Sequence, residues 1–204
     1  MWILDAGASA ARAEALADTL ISRGATALLS FGIAGGLEPA VRPGTVVLAR
    51  EVVLPDGTRL AADPAWADRV VAAAGDLTPH RAAIAGTDRI LTSTDQKSEF
   101  RRRTGAAAAD MESHGVARAA ARRSLPFLVI RAVADPAERA LPQSAIAGLD
   151  AGGTMRPLGT LAALTSDPRQ IVALVGVARD TLTALAALWR FAGRLGRAVA
   201  PADP

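Results

Sequence analysis

Cysteine is absent from this 204-residue chain, so disulfides and thiolate metal sites are excluded. Tyrosine is absent too, and the aromatics are four Phe and three Trp. With so few rings and with scattered arginines, the chain carries no stacking platform and no basic stripe for nucleic acid. Lysine is nearly absent: Lys97 is the single one, and it has no catalytic neighbour in sequence, which points to a solvent-facing side chain. Almost nothing titrates between histidine and arginine, so a net charge of only +3 gives a calculated pI of 10.7. Two histidines, His80 and His114, make a histidine metal site unexpected, and His114 reads as a packing or surface residue. Met1 to Ala6 lacks a basic, apolar leader pattern. The apolar stretch Ile171 to Ala192 is interrupted by Arg179, Asp180 and Arg190, short of the ~18 uncharged residues of a membrane span. A cytoplasmic or peripheral location is the expectation.

Half of the residues are hydrophobic, enough for one well-filled domain over 1–204. Strand-like and helix-like stretches alternate. Strands are expected at Trp2–Asp5, Ala27–Ile33, Thr45–Leu54, Thr58–Leu60, Arg81–Thr87, Ala107–Met111 and Phe127–Val133. Helices are expected at Ala10–Arg23, from Asp63-Pro64 to about Ala74, and from the Ser93/Gln96 capping box to Thr104-Gly105. Two more are expected, at Ser113–Arg123 and from Asp167-Pro168 to about Arg194. Leu141–Thr165 reads as loop with some helix, and Pro201–Pro204 as a frayed tail. The alternation predicts an α/β fold: a three-layer αβα arrangement with a twisted mixed central sheet and helices on both faces.

Three segments carry chemistry. Gly32-Ile33-Ala34-Gly35-Gly36-Leu37 follows a buried strand and reads as a sharp turn whose backbone can approach a ligand. It lacks the dinucleotide-binding spacing, and a plain tight turn explains it equally well taken alone. Asp110-Met111-Glu112-Ser113 ends the next-to-last strand, and Arg131-Ala132-Val133-Ala134-Asp135 ends the last. Strand carboxyl ends are where α/β sheets bind ligands. A Glu112 carboxylate suits a sugar cis-diol, or simply the first turn of a helix. Asp135, before Pro136, can give a proton to a leaving group, or merely start a turn. Arg131 lies in an apolar run and needs a partner: Asp135, Glu112 or the ligand. The two acids are expected on adjacent strands, facing one cavity.

Jointly these segments resemble the signatures of the purine nucleoside phosphorylase and methylthioadenosine/adenosylhomocysteine nucleosidase superfamily, in its order and at about its spacing. Details are most similar to the hopanoid-associated phosphorylase branch, taken to remove adenine from adenosylhopane. The resemblance implies that Asp135 serves purine N7, that Met111 and Glu112 hold the ribose, and that Ala34, Gly35 and Gly36 line the purine and nucleophile side. It implies no cofactor and no metal, with inorganic phosphate as a candidate co-substrate. The expected partner is a small nucleoside, lipid-linked in that branch, handled by a homo-oligomer with a peripheral membrane contact in prospect. Three departures stand out. The family's first strand precedes the segment matching Trp2–Asp5, so the expectation is a misassigned start or a truncated, catalytically weak, nucleoside-binding member. Ile33 stands where the nucleosidases place Ser or Thr. Ile90 stands about where relatives stack an aromatic on the purine.

Overall fold

The computed structural model describes residues 2–142 and 170–200. Helix α1 (Ala10–Ser22) starts at Ser9, whose side chain accepts a bond from the Arg12 backbone. Strand β1 (Leu28–Gly36) follows, then β2 (Val46–Val53) and the short β3 (Arg59–Ala61), joined to β2 through Asp56-Gly57. Helix α2 (Pro64–Ala74) has Asp63 as its cap and proline in its first turn. Strand β4 (His80–Gly86) leads to α3 (Thr94–Thr104), where the Ser93/Gln96 capping box is closed in both directions and Gly105 ends the helix in the left-handed region. Strand β5 (Ala108–Asp110), helix α4 (Ser113–Arg122), strand β6 (Phe127–Asp135) and helix α5 (Gln170–Leu195) complete the order, with a 3-10 turn at Gly196–Val199. The expected Asp167-Pro168 cap, most of Leu141–Thr165 and the tail Pro201–Pro204 lie outside the described residues.

The sheet is mixed, with order β3-β2-β4-β5-β1-β6, and β2 also pairs with β6. That second pairing bends the sheet into a closed ring with β3 appended. Strand β2 achieves it by presenting Val46–Leu48 to β6 and Glu51–Val53 to β3. Helices α1 and α4 pack on each other, as do α2 and α5, and α5 lies on β6. Strand β6 is buried along nearly its whole length, and Leu128, Val129, Ile130 and Val133 have no exposed surface. Each such side chain contributes about 1.5–3 kcal/mol. Close approach of α4 to α1 depends on Gly115, where a Cβ would run into the Ala10 carbonyl oxygen.

Three expectations are corrected. Trp2–Asp5 forms no strand and is largely exposed; both edges of β1 are taken by β5 and β6, so ring closure leaves this run nothing to pair with there. Ala34-Gly35-Gly36 is not a turn but the end of β1, because β5 and β6 both extend its ladder. By length and composition the segment Val172–Val199 qualifies as a membrane span, despite its charges. Its inner face nevertheless belongs to the core, with Ala184, Leu188, Phe191 and Leu195 buried, while Val172, Val175, Leu182 and Trp189 are exposed.

Candidate active site

The two acid-bearing segments meet around the end of β1. Gly35 pairs with Ala109 of β5 on one side and with Asp135 of β6 on the other. The acids were expected on adjacent strands; β5 and β6 are instead separated by β1, which inserts between them although they are consecutive in sequence. Just before Asp135 the β1–β6 register slips: Ala34 faces Val133, Gly35 faces Asp135, and Ala134 has no partner. Such a bulge re-aims a side chain. Gly36 suits the close approach of β6, since a Cβ there would lie 3.0 Å from Val133 Cγ1 and 3.3 Å from the Asp135 carbonyl oxygen, tight contacts that would press on β6.

A cavity of about 250 Å³ opens at this point. Ala34, Gly35, Gly36, Met111, Glu112 and Asp135 all line it. Its remaining walls are largely apolar, with Ile33, Ile90, Leu91, Leu141 and Val177 among them. Arg131 is outside the lining and buried behind it. The guanidinium bonds chiefly to Asp110, a partner that sequence reasoning missed, through Nε. It also donates to Ser30 Oγ at 2.8 Å, and its Nη2 stands 3.5 Å from Glu112 Oε2. Asp110 in turn accepts from the Ser113 backbone at 3.0 Å and the Ser113 hydroxyl at 2.6 Å. This network anchors the first turn of α4. Glu112 occupies the cap position of that helix, yet its side chain caps nothing and is left for the cavity.

Burial, reinforced by the nearby Asp110 charge and opposed by Arg131, pushes the Glu112 carboxyl up to about 7. Burial also raises Asp135, against the opposing pull of Lys97. Lys97 is not solvent-facing: it is 1% exposed, lines the cavity, and sits 2.6 Å from Asp135 Oδ2. The missed signal was its uniqueness, one lysine in a chain that otherwise uses arginine. His114 is a core residue against Gly86, with Nε2 3.1 Å from Asp88. Among the described residues no group of three or more His, Asp or Glu side chains is arranged to hold a metal ion.

The Asp110–Arg131 pair yields a stability prediction. Arg131→Met leaves Asp110 buried and unpaired, an expected loss of about 3–5 kcal/mol by urea denaturation. Adding Asp110→Asn should return much of that loss; if the double variant is no more stable than the single one, the pair is not the source.

The mixed sheet and the acids gathered at its strand ends define an α/β domain of the nucleoside phosphorylase type. The chain belongs to the Phosphorylase superfamily, whose sequence profile matches residues 1–150. Solved structures agree in fold. The 5′-methylthioadenosine/S-adenosylhomocysteine nucleosidase of Neisseria meningitidis, in complex with methylthio-immucillin-A, is 20% identical with a TM-score of 0.70, covering 94% of this chain and 78% of its own. The corresponding nucleosidase of Campylobacter jejuni is 21% identical with a TM-score of 0.61, covering 76% and 73%. The futalosine hydrolase of Helicobacter pylori is 15% identical with a TM-score of 0.65, covering 92% and 77%. Against a mutant of that hydrolase, the chain spans 66% of the relative's length. No curated protein matches the chain significantly.

Proposed function

We propose that this protein cleaves the N-glycosidic bond of a purine nucleoside carrying an apolar 5′ substituent, with adenosylhopane as the specific candidate. The observation that carries the reading is that Glu112 and Asp135 open onto one cavity from opposite sides of β1. Glu112, as a carboxylate, accepts from the ribose 2′- and 3′-hydroxyls and stabilises the positive charge that develops on the sugar. Asp135 donates a proton to purine N7 as the C1′–N9 bond breaks and its electron pair passes to the base. Phosphate or water then bonds to C1′; the proton given up by the attacking oxygen passes to bulk water, from which Asp135 regains its own. The walls formed by Ile33, Ile90 and Val177 favour an apolar substrate end.

The test is adenine release by the purified protein from adenosine and from 5′-alkyl adenosines. Release should be faster for the alkyl compounds, and the sugar product should be a 1-phosphate (5-alkylated for the alkyl compounds) only when phosphate is the nucleophile. Absence of adenine from every compound overturns the cleavage reading. Equal kcat/KM with and without the alkyl group overturns the apolar-substituent reading alone.

A further inference from the structure

One charged wall of the cavity has no part in the chemistry above. Lys97 projects from α3, and its Nζ has three acceptors: Asp135 Oδ2 at 2.6 Å, the Pro136 carbonyl at 2.8 Å and the Arg139 carbonyl at 2.7 Å. An ammonium carries three protons, so all of them are committed to the end of β6 and the turn that follows it. Burying such a charge is costly unless it is paired and hydrogen-bonded, and here it is both. The other oxygen of Asp135 stands in contrast: Oδ1 is buried and has no hydrogen-bond partner. The remaining charged groups bearing on Asp135 are Arg139 and Asp180, which pair with each other.

We propose that Lys97 is a positioning residue of the active site, gripping Asp135 Oδ2 and the turn behind it so that the carboxyl is held in one orientation at the cavity wall. The inference rests on the cleavage reading given above. In its acid form Asp135 carries the transferable proton on a carboxyl whose orientation this ammonium fixes. When that proton passes to N7, Asp135 is left as a carboxylate against Lys97, and the ammonium stabilises the charge as it appears. A lysine that only tied α3 to the 135–139 turn would affect folding but not this titration.

The experiment compares Lys97→Met and Lys97→Arg with the unaltered full-length protein, following adenine release against pH and the Asp135 carboxyl signal by carbon NMR. In Lys97→Met, kcat should fall about tenfold or more, with KM changed much less. The Asp135 titration should move upward by about one pH unit. Lys97→Arg, which keeps the charge, should hold the titration near its original position and recover part of kcat. An unshifted Asp135 signal in a folded Lys97→Met protein overturns the proposal. Should Lys97→Met fail to fold, Lys97→Arg decides: wild-type kcat overturns the proposal, and a reduced kcat with unshifted titration supports it. The NMR readout needs no turnover. If the unaltered protein releases no adenine, the cleavage reading fails while the effect of Lys97 on Asp135 is still measured.

Discussion

Replacing Asp135 by Asn is expected to lower kcat for adenine release by about 10²–10⁴-fold, the range of a positioned general acid. Asparagine keeps the shape, so the base should still enter the cavity. It cannot surrender a proton to N7, so the loss falls on the chemical step. Calorimetry with adenine should therefore show affinity within a few-fold of the original while turnover collapses. The fold should weaken as well, because Lys97 then faces a neutral amide, though it keeps the carbonyls of Pro136 and Arg139. Turnover within about threefold of the unaltered protein would remove Asp135 from the mechanism.

Glu112→Gln should separate function from stability in opposite directions. Hydrogen bonds to a charged group are worth about 1.5–3 kcal/mol, so losing the carboxylate at two ribose hydroxyls should reduce kcat/KM about 100-fold or more. A 2′-deoxynucleoside tests the cause: its disadvantage in the original protein should shrink in the variant. Stability should move the other way. The Glu112 carboxyl sits at about 7 when folded against an ordinary value of 4.5. A proton is thus held more tightly in the folded state. The contribution of this group to stability is fully present below 4.5 and is lost as pH rises toward 7, by about 3 kcal/mol in all. The substituted amide has no charge to desolvate, so the variant should be more stable above about pH 7 and no better at about pH 4. A melting temperature that is unchanged at about pH 8 would mean that Glu112 is better solvated than its burial implies.

Local signals made most of the fold legible in the sequence. Ser93 with Gln96, Asp63 with Pro64, and the apolar run at Phe127 all mark elements through contacts within a few residues, and those elements formed where expected. Long-range pairing was not written locally. Nothing in Val46–Leu48 announces that it also joins β6, and that closure changes the status of Trp2–Asp5. The site shows the same limit. Glu112, Asp135 and the glycines were visible because their types and spacing are distinctive. Lys97 lies far before Asp135 in the chain and reaches it only once α3 packs beside the turn after β6. Asp110 was passed over as the partner of Arg131 because strand spacing does not reveal which carboxylate a buried guanidinium will choose.

The unpaired Ala134 sets a parity rule for the end of β6. Strand side chains alternate, so an odd insertion decides which of two successive residues faces inward. Removing Ala134 would delete the bulge and re-aim the acid at the end of β6 without altering either carboxylate. This stretch should therefore tolerate swaps among small apolar residues far better than a single-codon deletion.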